Sequence, residues 1–157
     1  LCMIKIIDRL WIGDESDCKN PSFYIVHACK FPCHKKAVGY AVNPDPTDKY
    51  YLYREVDKNL FLNIIDPEKP LFKIELFTVA LDFIEKAWST GDNTLIHCNH
   101  GDSRSPSIAM VFLAKRLCRV PNTSYKDAFN AFCKEFHVYH PGHGISSFLG
   151  NNWSKIK

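Results

Sequence analysis

The segment from Thr94 to Ser105 constrains this chain more than any other. Thr94-Leu95-Ile96 is a short apolar run that reads as a buried strand, and a helical apolar pattern opens at Ser105. The residues between them are His97-Cys98-Asn99-His100-Gly101-Asp102-Ser103-Arg104, too few for anything but a tight loop at a helix N-terminus. Asn99, His100, Gly101, Asp102 and Ser103 must curl so that their backbone N–H groups converge. A ring of such donors, aided by the helix dipole, is an anion-binding hole. Gly101 supplies the backbone freedom for the curl.

The chemistry-bearing residues stand at the two ends of this loop. Thiol pKa values fall from about 8.5 to between about 3.5 and 7.5 at helix N-termini and beside cations, so Cys98 reads as a nucleophile. Arg104 offers a planar fork matched to two phosphate oxygens, which a lysine would not. Ser105 can reach back to the sulfur, while Ser103 is expected to act on the loop backbone. Strand alternation turns His97 away from Cys98, toward backbone groups beneath the loop. A buried strand-end thiol is the commoner fate of a cysteine. The joint spacing of Gly101, Arg104 and Ser105 argues for catalysis instead.

Attack on phosphorus leaves an alkoxide or phenoxide, which a general acid must protonate from the opposite side. Asn59-Leu60-Phe61-Leu62-Asn63-Ile64-Ile65 reads as a buried strand, and Asp66-Pro67 follows it on a loop. From Leu71 to Trp88 apolar residues recur at helical spacing (Phe77, Leu81, Ile84, Trp88). The order is thus strand, acid loop, helix, strand, phosphate loop, helix. In a parallel α/β sheet the loops after strand C-termini share one edge, which brings Asp66 to Cys98. An isolated Asp-Pro would be read as a turn or cap.

With His97-Cys98, five residues, Arg104-Ser105, and Gly101 inside the loop, the chain resembles the cysteine-dependent protein tyrosine phosphatase superfamily, and within it the small, atypical dual-specificity phosphatases. In that family a loop aspartate about thirty residues before the cysteine acts as acid and then as base, and Asp66 stands in that place. The family also opens with a Leu-aromatic-Leu/Ile-Gly strand, here Leu10-Trp11-Ile12-Gly13. A Pro-Asn-x-Gly-Phe stretch leads into its last helix, and His140-Pro141-Gly142-His143-Gly144-Ile145 is similar to it, departing at Gly142 and Ile145. The resemblance implies one catalytic domain over residues 1–157. It implies an α/β fold with a central, mostly parallel twisted sheet flanked by helices on both faces. It further implies a metal-independent phosphatase acting through a phosphocysteine intermediate on phosphotyrosine and phosphoserine/threonine, with Cys98, Arg104, Asp66 and Ser105 as its catalytic residues.

Composition agrees with a single globular domain. At 157 residues, 46% hydrophobic and 24% charged, the chain can bury a sizeable core. A net charge of +3 is too small to argue for nucleic acid or an anionic membrane, and no apolar run is long enough to span a bilayer. Seven scattered cysteines lack the spacing of a disulfide scaffold. These features and the lack of a leader give the expectation of a cytoplasmic protein whose partners are phosphorylated proteins or peptides, without a cofactor.

The remaining segments are less specific. Ile4-Lys5-Ile6-Ile7 and Leu10-Trp11-Ile12-Gly13 suggest an edge hairpin, followed by a short polar helix from Asp14 to Lys19. Phe23-Tyr24-Ile25-Val26 reads as a third strand. Helices are expected from Ser105, from Ser124 to Phe136 and from near Gly144, and strand packing accounts for Tyr50, Tyr51 and Tyr53. His27-Ala28-Cys29-Lys30-Phe31-Pro32-Cys33-His34 invites a zinc reading, but its spacing lacks the Cys-x2-Cys form and no second pair lies at finger distance, so no metal is expected. His27, Lys30 and His34 either line the substrate pocket or belong to a surface loop. Asp102 opposes a dianion unless it points outward, which is the expectation. It also weighs against inositol phospholipids, whose phosphatases tend to carry extra basic residues here. An RNA 5′-phosphate, a carbohydrate or a lipid as substrate, sulfur or arsenate chemistry on the same loop, and a non-catalytic phosphate-binding module remain alternatives.

Overall fold

Six four-residue strands, rich in Ile, Leu, Val and aromatic residues, form one sheet in the computed structural model, which describes residues 3–157. They are β1 (Ile4–Ile7), β2 (Leu10–Gly13), β3 (Tyr24–His27), β4 (Tyr53–Val56), β5 (Asn59–Leu62) and β6 (Thr94–His97). The order across the sheet is β1-β2-β6-β3-β5-β4. The four inner strands run parallel, while β1 and β4 pair antiparallel with β2 and β5 at the two edges. The pattern of burial follows from this order. Central β6 is buried at all four positions, as a parallel strand covered on both faces requires. Edge strand β4, Tyr-Arg-Glu-Val, is mostly exposed, and its charges discourage further pairing.

Parallel register aligns the C-terminal ends of the inner strands. Gly13 pairs with His97, His97 with His27, and His27 with Phe61, so one cross-strand row closes the sheet beneath the loops that follow. The alternate positions Ile12, Ile96, Val26 and Leu60 point into the main core.

Helix α1 (Lys35–Val38) follows segment 30–34, which is kinked by an extended Phe31; α2 is Ile74–Ser89, α3 Arg104–Lys115, α4 Tyr125–Glu135 and α5 His143–Asn152. Leu76, Phe77, Ala80, Leu81, Ile84 and Ala87 form the buried stripe of α2 at the spacing seen in the sequence. Helix α3 crosses behind β6 and β2 and is buried along almost its whole length. Its neighbours α2 and α4 pack beside it, and α5 follows against α4. Segment 30–34 and α1 lie on the opposite face, against β5 and the cross-strand row. Ser124 caps α4, its Oγ accepting from Asp127 N at 3.0 Å.

Several boundaries differ from the sequence reading. The expected helix from Asp14 to Lys19 is a single turn, Glu15–Asp17, because Asp14 and Asp17 cap each other's backbone and the chain leaves at once. Tyr50 and Tyr51 precede the strand: Tyr50 sits in a turn, with Lys49 Nζ and the Arg54 guanidinium 4.9 and 4.7 Å from its ring centre. Helix α2 begins at Ile74, because Pro70 and the extended residues 71–73 keep the chain out of the helix until then. No helix among the described residues is long and apolar enough to cross a membrane.

Candidate active site

The loop between β6 and α3 closes around the sulfur of Cys98. Gly101 N–H donates to Cys98 Sγ at 3.2 Å, and Ser105 Oγ stands 3.3 Å from the same atom. Ser105 Oγ is also 3.3 Å from the Gly13 carbonyl, so its single proton is shared between that oxygen and the sulfur. Gly101 has φ +79°, and a Cβ there would stand 3.2 Å from the Gly13 carbonyl oxygen. Only glycine makes this turn without strain over β2. The Gly101 N–H and the Ser105 hydroxyl thus both stand within hydrogen-bonding reach of the sulfur.

Arg104 opens α3 and folds back under the loop. Nη1 donates to the Ile64 carbonyl at 3.1 Å and Nη2 to Asn99 Oδ1 at 2.7 Å. The third donor, Nε, is buried and has no hydrogen-bond partner among the described residues. A buried N–H without an acceptor is unfavourable, and a ligand oxygen in the loop would relieve it. Asn99 is held on its other side as well, Nδ2 donating to the Phe31 carbonyl at 2.9 Å and to Glu15 Oε2 at 3.2 Å. Of the other loop residues, His100 is exposed and Asp102 half-buried.

Asp66 is exposed on the loop that follows β5, two residues beyond the Ile64 carbonyl that receives Arg104. Its carboxyl rests against Gly142, where a Cβ would lie 2.5 Å from Oδ1. Gly142 N–H in turn donates to Ser103 Oγ at 2.9 Å, and His140 N–H donates to the Asp102 carbonyl at 2.7 Å. The residues leading into α5 therefore bridge the two loops. Ser103 acts on this turn, not on its own loop backbone as the sequence suggested. A Cβ on Gly144 would collide with the Pro67 and Lys69 carbonyl oxygens, so α5 supports the acid loop from beneath. Sequence reasoning missed both glycines as site residues; their spacing at the entry to α5 was the available signal.

His97 lies where strand alternation predicts, its Nδ1 3.4 Å from the Cys98 carbonyl, and its other nitrogen meets His27 Nδ1 at 2.7 Å. Burial first, and then the neighbouring His27, push His97 down to about 4. Burial also lowers His27 and His34. The proposed pocket-lining roles of these two histidines are corrected by their surroundings. His34 is fully buried, with Nδ1 on Tyr40 Oη and Nε2 on the Tyr50 carbonyl, both at 2.9 Å. His27 is buried and stacked on Phe61, with ring centres 4.4 Å apart. Lys30 reaches a surface groove, where its Nζ donates to Asn43 Oδ1 at 2.6 Å, while His27 touches only a separate cavity on the α1 face of the sheet. Phe31, which the sequence did not single out, is 43% exposed beside the loop that its carbonyl anchors.

The family of the dual specificity phosphatase catalytic domain matches residues 26–140, which hold both loops, and the chain belongs to it. It is 34% identical over 80 residues to dual specificity protein phosphatase 5 of Rattus norvegicus, a stretch of 51% of this chain and 20% of that relative. The match thus spans a fifth of the curated relative's length. Among solved structures, the human tyrosine phosphatase-like serine/threonine/tyrosine-interacting protein is similar with a TM-score of 0.67 and 18% identity, over 98% of this chain and 96% of that one. A leucine rich repeat and phosphatase domain containing protein from Entamoeba histolytica gives 0.67 and 17%, over 98% and 91%. These likenesses show a shared fold, a single α/β domain with a mixed sheet.

Proposed function

We propose that this chain hydrolyses phosphomonoesters through a phosphocysteine intermediate, with no metal in the chemical steps, and that its substrates are phosphotyrosine and phosphoserine/threonine in proteins. The observation that carries the reading is Cys98 Sγ within reach of the Gly101 N–H and the Ser105 hydroxyl, on the same loop as a buried Arg104 Nε that lacks an acceptor among the described residues. Sγ attacks phosphorus as the bond to the leaving oxygen breaks, and Asp66 gives that oxygen its proton. Arg104 and the loop N–H groups hold the equatorial oxygens as charge develops on them. Water then attacks the phosphocysteine, Asp66 takes its proton, and the sulfur leaves with the Ser105 hydroxyl beside it. Because Arg104 is already bound to Ile64 and Asn99, little of its freedom remains to be lost when phosphate enters.

The exposed Phe31 ring supports an aryl or peptide ligand beside the loop. Lys30 and Lys35 carry their Nζ 5.1 and 5.9 Å from its centre, so the rim combines an apolar plate with positive charge. In the test, turnover of an aryl phosphate disappears in Cys98→Ser, and Asp66→Asn slows the chemical step without weakening binding. Unchanged turnover in Cys98→Ser ends the proposal. Comparison of phosphotyrosine, phosphothreonine and 5′-phosphorylated RNA substrates tests the substrate class, and a higher kcat/KM on the RNA overturns it.

A further inference from the structure

We propose that His27, Cys33 and His97 form a buried site for a zinc(II)-class cation beneath the phosphate loop. The spacing of His27 and Cys33 gave no reason to expect a metal, but the fold adds His97, seventy residues further along the chain. The two histidines end β3 and β6 side by side, and Cys33 comes up from the turn before α1. All three are buried, and their donor atoms lie within 4.8 Å of one another.

The geometry is close to that of a tetrahedral ion. Zinc bonds of ~2.1 Å to nitrogen and ~2.3 Å to sulfur put two nitrogens ~3.4 Å apart and a nitrogen and sulfur ~3.6 Å apart. Cys33 Sγ is 3.8 Å from His97 Nε2, while His27 Nδ1 and His97 Nε2 are 2.7 Å apart and must separate by roughly 0.7 Å. The outer nitrogens are already engaged in the way ligating histidines require. His27 Nε2 is 2.9 Å from Asn59 Oδ1, and His97 Nδ1 faces the Cys98 carbonyl. If these oxygens accept, both ring protons lie outward, and two bare lone pairs converge on the space between the rings. A cation there satisfies both.

Access comes from the face of the sheet that carries α1. A cavity of about 320 Å³ reaches His27 and Cys33, and half-exposed Cys18 stands on its wall. Water completes the tetrahedron from that side. On binding, the hydrated ion sheds all but one of its waters, Cys33 gives up its thiol proton to solvent as the zinc–sulfur bond forms, and no electrons are exchanged. The ion would tie β3, β6 and segment 30–34 together under the residue that precedes Cys98. The competing arrangement is a metal-free chain in which the Asn59 amide is turned over and His27 Nδ1 donates to His97 Nε2.

The test uses the whole chain with Cys98→Ser, reduced and stripped of metal, so that the loop sulfur cannot bind. Cobalt(II) should bind with one equivalent, giving a thiolate-to-cobalt charge-transfer band and the intense visible bands of a tetrahedral site, and zinc(II) should displace it. Adding Cys33→Ser should remove the charge-transfer band, and His27→Gln should weaken binding at least tenfold. X-ray absorption of the zinc-loaded parent provides a readout that does not depend on the variants folding, with nitrogen and at least one sulfur expected. The proposal fails if the parent shows no saturable cobalt band, if the band survives Cys33→Ser, or if the zinc shell contains no sulfur.

Discussion

Replacing Gly142 with alanine tests the coupling of the acid loop to α5 without touching Asp66 itself. Gly142 has φ −62° and ψ 158°, a conformation open to any residue, so alanine adds no backbone strain. Its Cβ would stand 2.5 Å from Asp66 Oδ1, and contacts under 3.0 Å are essentially never seen, so the carboxyl must withdraw by about half an ångström. Asp66 is exposed and can move into solvent, which keeps the change in folding stability below about 1 kcal/mol. Catalysis is more sensitive. A general acid contributes roughly 10²- to 10⁴-fold, and an error of about 1 Å can cost on the order of 10²-fold. A displacement half as large should lower kcat about tenfold, or about 1.4 kcal/mol of transition-state stabilisation. The assay is single-turnover hydrolysis of aryl phosphates whose leaving phenols span a range of pKa. The loss should grow as the leaving group becomes poorer, and should vanish in an Asp66→Asn background. A uniform loss across the series, or one that adds to that of Asp66→Asn, would refute the coupling and point to the Gly142–Ser103 bond instead.

Three further outcomes follow from the geometry. Arg104→Lys cannot serve both Ile64 and Asn99 or present a planar fork, and should lower kcat/KM on an aryl phosphate by about 10²- to 10³-fold, read from steady-state kinetics. Gly101→Ala places a side chain at φ +79° above the Gly13 carbonyl and should cost about 1–2 kcal/mol, measured as a lower urea midpoint, together with lost activity. His97 binds its proton only near pH 4 when folded, against an ordinary 6.5, so the unfolded chain takes up more protons between these values and stability rises with pH there. In the presence of chelator, the unfolding free energy from urea titrations should therefore fall as pH is lowered from 6.5 toward 4, by a total of about 3 kcal/mol from this ring. His97→Asn should flatten that slope, and an unchanged slope would show that the ring does not titrate this way.

The sequence carried the two loops because each is local. A strand, a glycine turn and a helix start within one short segment, and Asp66 follows its strand directly, so spacing along the chain stands for distance in space. The parallel order of the inner strands was legible for a related reason, since strands separated by helical patterns pair that way. What spacing could not supply were contacts made across strands. His27 and His97 become neighbours only because β3 and β6 pair in register, which turned His27 from a candidate pocket residue into an interior one. The supports at Gly142 and Gly144 stayed hidden because their reason is a close approach from residues far along the chain. Tyr50 and Tyr51 misled through their β-forming chemistry, which the turn before β4 overrides.

The triple engagement of Asn99 has a practical consequence for anyone redesigning specificity. Its amide joins the phosphate loop, the Glu15 turn and the Phe31 backbone to the guanidinium. A library that randomises the loop evenly would spend most of its variants on broken scaffolds at this position. Diversity placed at His100, whose side chain faces solvent, would vary the rim while leaving the chemistry its frame.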